Sequence, residues 1–177
     1  MSKKVLLLNS ACGKYPRGRD PWVRATVAAL DTLASRGDIS LVSSLGLPSW
    51  ELTTFLAGKL GTRLDLIVPG SEFEVPGSEE YNRLLEDFGL DGRKTVFHFT
   101  GAGSPGERMA GRDRMAFELA GEVCLVSIRP RGRLERLICE HEGCARLEFC
   151  DEFRIEWQDT QWRPRYDFEG RTLNPEL

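Results

Sequence analysis

The chain has 177 residues, of which 41% are hydrophobic and 29% are charged, and its formal net charge is −3. This length and composition predict one folded domain with a real core and exclude wholesale disorder. The small negative charge argues against a protein that coats nucleic acid non-specifically, although it is compatible with a local basic patch.

The beginning of the chain carries a single short apolar run, 5–8, directly after Lys3 and Lys4. That run is too short for the core of a signal peptide, and no other stretch approaches membrane-spanning length. The five cysteines are an odd number in such a chain and are expected as reduced thiols. We therefore predict a cytoplasmic protein without a membrane partner, a metal or another cofactor.

Short apolar runs alternate along the chain with segments of helical periodicity, and glycines end several of the helices. In order, the predicted elements are strand 5–8, helix 21–36, strand 39–42, helix 50–60, strand 64–68, helix 80–88, strand 95–99, helix 107–120, strand 123–128, helix 132–142 and strand 145–149. This alternation predicts an α/β fold, namely a three-layer, Rossmann-like, doubly wound and mostly parallel sheet. The sheet domain is assigned to residues 1–150, and 151–177 to a C-terminal extension packed on it.

In a doubly wound sheet, ligands bind beyond the carboxyl ends of the strands, where the strand order reverses. The functional chemistry is therefore expected in the loops that follow the predicted strands. Those loops are 9–13, 43–51, 69–72, 100–106 and 129–132.

Three short motifs stand in an order that is typical of one superfamily. They are Leu-Val-Ser-Ser-Leu-Gly at 41–46, Glu-Tyr-Asn-Arg-Leu-Leu at 80–85 and Arg-Asp-Arg-Met-Ala at 112–116. Together they resemble the strand-end turn, the following helix start and the Arg-Asn-Arg helix of DNA-processing protein A (DprA)-like Rossmann domains. This family belongs to the nucleotide-sensing SLOG superfamily, which also contains the lonely-guy phosphoribohydrolases. The resemblance covers residues 4–150 and implies a nucleotide or nucleotide-derived ligand at the strand ends.

The chain departs from this pattern at two places. Ser44 replaces the turn glycine, and residues near Pro48 and Trp50 replace the Gly-Ile-Asp of the family. The Pro-Gly-Gly-x-Gly-Thr-x-x-Glu signature of the phosphoribohydrolases is missing, so no glutamate stands at the spacing that their reaction uses.

Two features suit the phosphate of such a ligand. The glycine-rich loop 100–106 lets backbone N–H groups approach an anion, although an ordinary flexible loop has the same composition. Arginines of the helix 107–120 and of the loop after strand 123–128 form either a cationic rim or a solvated surface paired with acids. The residues assigned to these features are Thr100, Gly101, Gly103, Arg112, Arg114, Arg129 and Arg131.

The sugar and the base of the ligand are expected at the first two strand-end loops. Trp50 would stack on a base or close the pocket. Glu51 either complements the dipole of the helix that begins there, or hydrogen-bonds a ribose or activates water as a catalytic group. The other predicted ligand residues are Asn9, Ser10, Ser43, Ser44, Gly46 and Gly70.

The histidines and cysteines suggest no catalytic or metal centre. Cys139, His141, Cys144 and Cys150 have a spacing that matches no common zinc site, so we predict thiols and a surface histidine there. His98 lies within a predicted strand and is expected in the core.

The sequence therefore predicts binding or sensing of a nucleotide-like small molecule. Two alternatives stay open, a nucleotide N-glycosidic or phosphoryl hydrolase that uses Glu51, and a protein that binds single-stranded DNA along the arginine rim. A homo-oligomer is left open as well.

Overall fold

The computed structural model describes residues 2–11, 18–72 and 78–159. Within these ranges, strands and helices alternate as the sequence predicts. The elements are β1 (Lys3–Leu8), α1 (Pro21–Arg36), β2 (Ile39–Ser44), α2 (Trp50–Leu60), β3 (Arg63–Val68), α3 (Ser78–Phe88), β4 (Thr95–Phe99), α4 (Pro105–Leu119), β5 (Glu122–Leu125), α5 (Arg133–His141) and β6 (Glu148–Cys150).

The strands described in those ranges form one six-stranded sheet in the order β4-β3-β2-β1-β5-β6. Every neighbouring pair is parallel. From β1 the chain builds the sheet outward through β2, β3 and β4, and it then returns to add β5 and β6 on the other side of β1. The topological switch point therefore lies between β1 and β5, and the predicted α/β, Rossmann-like fold is confirmed.

Helices cover both faces of this sheet, which explains why its central strands are apolar along their whole length. On one face, Val5 and Leu7 of β1 pack in a cluster with residues of α1, α2 and α3. On the other face, Leu6 and Leu8 pack with residues of α4 and α5. The three layers follow from this alternation of side chains along each strand.

The last two strands are shorter than the sequence predicts. β5 ends at Leu125 instead of residue 128, although the backbone contact with β1 continues, since Ser10 N donates to Ser127 O at 2.6 Å. The final strand was expected at 145–149 and is found at Glu148–Cys150. Turns delay its start, because Cys144 N donates to His141 O at 3.1 Å and Leu147 N donates to Cys144 O at 2.9 Å.

After β6 the chain turns back across the carboxyl end of β5. Ile155 N donates to Val126 O at 2.7 Å, and Ser127 Oγ donates to Glu156 O at 3.1 Å. We call 151–159 the return segment. It is the described part of the extension predicted at 151–177, and residues 160–177 lie outside the described ranges.

No helix among the described residues is both long and apolar enough to cross a bilayer.

Candidate functional site

The exit of β1 is fixed by Asn9, one of the residues predicted to touch a ligand. Its side chain is buried, and its Oδ1 accepts a hydrogen bond from Ala11 N at 3.0 Å. Its Nδ2 donates to Thr26 Oγ1 at 3.3 Å, and Thr26 Oγ1 donates in turn to Trp22 O at 2.8 Å. Asn9 therefore joins the loop after β1 to the first turns of α1 and holds Ser10 beside β5.

The exit of β5 lies against the return segment. Ser127 is fully buried, and its backbone O and its Oγ are bonded to Ser10 N and to Glu156 O respectively. The half-buried Ile155 and Trp157 pack against Ala11 and Trp22 of the β1 side. The return segment thus packs across the ends of β1 and β5, at the switch point of the sheet.

An exposed arginine contacts the return segment. The guanidinium carbon of Arg129 stands 5.3 Å from the centroid of the Trp157 ring, which is the geometry of a cation–π pair. Arg129 is exposed, and among the described residues its guanidinium makes no hydrogen bond or ion pair. The switch point therefore carries an aromatic surface and a cation together.

The turn from Arg129 to α5 is tight. A Cβ at position 132 would lie 2.8 Å from the backbone O of Arg129, so only glycine fits there without a shift. Arg131 has a left-handed φ of 58°, and its backbone N donates to Glu135 Oε2 at 2.5 Å. Because the Glu135 carboxylate accepts from the backbone at the start of α5, this helix N-terminus carries its own negative charge.

The predicted ligand residues after β2 are built into the interior. Ser43 Oγ donates to Trp50 O at 3.3 Å, and Ser44 Oγ donates to Ile67 O at 3.5 Å. The Trp50 side chain is 2% exposed and packs at 5.6 Å, centroid to centroid, from Phe88. In this structure Trp50 is a core residue and presents no free face to a base.

Gly46 and Glu51 of this loop lie nearer the surface, whereas Ser49 between them is buried. Gly46 has a φ of 82°, which glycine adopts without strain in the turn. Ser49 Oγ donates to Ala11 O at 3.3 Å and so ties the start of α2 to the loop after β1. The half-buried Glu51 follows in the first turn of α2.

The loops after β3 and β4 bind each other. Gly70 N donates to Thr100 Oγ1 at 2.9 Å, and Gly101 N donates to Gly70 O at 2.9 Å. Three predicted ligand residues, of which Thr100 and Gly101 were assigned to the phosphate, are thus used to extend the β3–β4 pairing beyond the strands.

The N-terminus of α4 is capped from within the chain. Ser104 N donates to Glu107 Oε2 at 2.8 Å, and Glu107 N donates to Ser104 Oγ at 3.3 Å, which forms a capping box. The hydrogen bonds from Ser104 lower the pKa of Glu107 below its ordinary value. A phosphate beside Gly103 would meet this carboxylate, so the geometry does not favour the predicted phosphate cradle.

The arginines of α4 do not form one exposed rim. Arg112 is fully buried; its Nε and Nη2 donate to Asp113 Oδ1 at 3.0 and 2.8 Å, and its Nη1 donates to Leu45 O at 3.3 Å. Burial lowers the pKa of Arg112, and the Asp113 carboxylate opposes that shift. The rim interpretation is therefore wrong for Arg112, whose side chain anchors α4 to the turn after β2.

The other oxygen of Asp113 accepts from Arg133 of α5. Asp113 thus binds two guanidinium groups, and this buried network joins α4 to α5 and to the end of β2. Arg114 lies in a groove of about 730 Å³ between α4 and α5. Its lining is mixed in charge and includes Met109, Asp113, Arg114, Arg133, Glu140 and His141.

Sequence reasoning missed a polar cluster on the sheet itself. Asp65 Oδ1 lies 2.9 Å from Lys4 Nζ and 2.6 Å from His98 Nε2, and Ser40 Oγ donates to Asp65 Oδ2 at 3.4 Å. His98 is thus a partly exposed partner of Asp65 and not the plain core residue that was expected. The strands β1 to β4 bring these residues together, and no local spacing signals the cluster.

The residues with a metal-like spacing do not converge on one point. Cys139 is exposed, whereas the His141 ring stacks on Phe117 at 4.1 Å and its Nδ1 lies 2.8 Å from Leu137 O. Among the described residues, no group of three or more histidine, cysteine or acidic side chains could hold a metal ion. Cys12 lies outside the described ranges.

No protein-family model matches the chain, and comparisons with curated proteins and with solved structures find none that is similar to it. The fold is therefore established by the structure alone, and the resemblance to DprA-like domains stays a prediction from three short motifs.

Proposed function

We propose that the chain binds a nucleotide or nucleotide-derived ligand in the crevice between the carboxyl ends of β1 and β5. The observation that carries this proposal is the reversal of strand order at β1 and β5, with the exposed Arg129 and the Trp157 ring beside it. In open parallel sheets, the crevice at such a reversal is where ligands bind.

The chemistry of this crevice suits a base joined to a phosphate. The Arg129 guanidinium offers several N–H donors in one plane, which match phosphate oxygens. We expect the base beside the half-buried Trp157 ring, which Arg129 contacts, and Ser10 is held at the end of β1. We expect the sugar near Glu51 in the first turn of α2, because Ser49 at the start of this helix donates to Ala11 O of the loop after β1.

The proposal places the phosphate at Arg129 and not at the loop 100–106. The starts of α4 and α5 each carry a carboxylate on their backbone N–H groups, from Glu107 and Glu135. An added anion at either helix start would be repelled by that carboxylate, whereas Arg129 is a cation without a paired acid among the described residues.

Thermal unfolding in a panel of mononucleotides and signalling nucleotides tests the proposal. A ligand that binds only the native state at about 100 times its Kd adds about 2.7 kcal/mol to the free energy of unfolding, so Tm should rise. The Arg129→Ala variant should bind the same ligand about tenfold or more weakly, because a charged hydrogen bond is lost.

Arg93→Ala is the matched control, since Arg93 is also exposed but precedes β4 at the opposite end of the strands. It should retain the full ligand-induced shift. The proposal fails if no compound raises Tm, or if both arginine variants lose the shift equally.

The same preparation separates the two alternatives. A hydrolase must release free base or phosphate from the bound nucleotide, and its turnover must collapse in Glu51→Gln. A single-stranded DNA binder must show an affinity that falls steeply with salt.

A further inference from the structure

Two cysteines on neighbouring strands lie side by side. Cys124 of β5 and Cys150 of β6 are direct partners in the parallel ladder. Partners on adjacent strands project to the same face of a sheet, and both residues pack against the core cluster on the α1 side. Adjacent strands are about 4.8 Å apart, within the range of roughly 4.4–6.8 Å between Cα atoms that a disulfide spans.

The two thiols differ in their exposure to solvent. Cys124 is 0% exposed, and burial is the main reason why its pKa lies above the ordinary value, with Cys150 contributing next. Cys150 lies on the edge strand and is half-buried, so a small reagent meets it first. Both are free thiols in this structure.

A cation lies near the more accessible thiol. Arg36 donates to both carboxylate oxygens of Glu152 at 2.8 Å. The pKa of Arg36 is raised, chiefly by its hydrogen bond to Glu152 and to a smaller extent by the charge interaction with Cys150. A guanidinium therefore lies near the thiol that a small reagent meets first.

We propose that Cys150 and Cys124 form an oxidative modification site, which a low-molecular-weight disulfide converts into an intramolecular disulfide. The proposal does not depend on the ligand proposed above, because it rests on the β5–β6 register and on the exposure of the two thiols.

The reaction takes place in two exchange steps. The Cys150 thiolate attacks one sulfur of the small disulfide, whose S–S bond breaks and releases one thiolate, and a mixed disulfide forms at Cys150. The Cys124 thiolate then attacks Cys150 Sγ and expels the second small thiolate. The two protons lost by the cysteines go to the two released thiolates, so one small disulfide is reduced as the cysteine pair is oxidised.

The bond would act on the part of the chain that leads to the switch point. It would join β5 covalently to the three-residue strand β6 and close the loop that contains α5. The return segment begins directly after Cys150 and reaches Trp157 from there. The oxidised protein should therefore unfold at a Tm several degrees higher, and the amide of Ile155 should exchange more slowly.

The test uses the full chain with Cys12, Cys139 and Cys144 changed to serine, so that only the pair is left. The folded protein is incubated with oxidised glutathione, and intact mass is measured before and after reduction. We expect the loss of two hydrogen atoms and no lasting glutathione adduct. In the same background, Cys124→Ala should stop at a glutathione adduct on Cys150.

Cys150→Ser in that background is the opposite control. Its remaining Cys124 thiol should stay unmodified while the protein is folded and should react fully in denaturant, because burial alone protects it. The proposal is overturned if the two-cysteine protein keeps both thiols under oxidised glutathione, or if it accumulates a stable adduct at Cys150 without closing the bond. Circular dichroism of each variant shows that the folded state is the one being compared.

Discussion

The carboxyl edge of the sheet has two regions that use the same residue types differently. The loops after β2, β3 and β4 turn their serines, threonines and glycines inward, as in the bond from Gly70 N to Thr100 Oγ1. The loops after β1 and β5 instead present Arg129 against the ring of Trp157, where the strand order reverses. Polar residues at strand ends therefore differ in what they bind. A ligand site is favoured where hydrogen-bond donors remain that no group of the protein uses.

The largest effect, a loss of stability, is expected from Asp113→Ala, because Asp113 holds the Arg112 side chain that anchors α4 to the turn after β2. The change removes the carboxylate that binds both Arg112 and Arg133, and it leaves a fully buried guanidinium without its counter-ion. We expect the free energy of unfolding in urea to fall by about 3–5 kcal/mol.

Two further variants sharpen this result. Arg114→Ala, on the neighbouring exposed position of α4, should cost less than about 0.5 kcal/mol. Adding Arg112→Met to Asp113→Ala should recover most of the loss, since the buried charge is then absent as well. If Asp113→Ala unfolds like wild type, the buried network does not support this region.

A smaller effect is expected at the switch point, from Gly132→Ala. The new Cβ would stand 2.8 Å from Arg129 O, so the turn that holds Arg129 must shift. We expect a loss of about 1–3 kcal/mol in chemical denaturation, together with a weaker ligand-induced rise in Tm.

Gly106→Ala is the matched glycine control, because a Cβ there meets nothing within 4 Å in the first turn of α4. It should stabilise the protein by about 0.5–1 kcal/mol and leave the ligand response intact. Equal behaviour of the two alanine variants would contradict the proposed role of the 129–132 turn.

The capping box of α4 allows a test in which stability and ligand binding separate. Ser104→Ala removes the acceptor for Glu107 N and should cost about 1 kcal/mol of stability. It should leave the nucleotide-induced shift unchanged, because the proposed ligand lies at β1 and β5. Ser35→Ala, in the exposed last turns of α1, should change neither quantity. If Ser104→Ala loses the nucleotide-induced rise in Tm, the ligand binds at the loop 100–106 and not at β1 and β5.

The smallest effect is a change of stability with pH that arises from Glu107 at the start of α4. The folded-state pKa of Glu107 lies below its ordinary value of 4.5, so its contribution to stability is present above that value and is lost as the pH falls through the folded-state pKa. Wild type should therefore have a higher Tm than Glu107→Gln at neutral pH. The difference should vanish in acid, once the pH lies below the folded-state pKa of Glu107.

Much of the fold was predictable because local signals mark its boundaries. Pro21 and Gly37 enclose α1, and Gly61 ends α2 in a left-handed conformation. The apolar runs identified the buried parallel strands, since both faces of the sheet are covered. The last strand was placed too early because the turn residues after His141 look no different in sequence from a strand start.

The candidate site was less predictable, for two physical reasons. The sequence indicates that ligands bind at strand ends, but which ends meet at the switch point depends on the strand order, which only the tertiary structure shows. The sequence predicts that Arg112 is exposed on its helix. It is buried instead, because Leu45 and Asp113 supply the hydrogen-bond acceptors for its guanidinium. The position of Trp157 is not predictable from the sequence, since its segment is held by hydrogen bonds to Val126 and Ser127, directly after β5, and not by any periodicity of its own.

Amide hydrogen exchange with and without the most stabilising nucleotide tests the central claim most directly. We predict that the ligand slows exchange at 9–11 and 126–132, on the two sides of the switch point, and leaves 69–71 and 100–106 unchanged. Protection confined to 69–71 and 100–106 would contradict the assignment of the ligand to the crevice between β1 and β5.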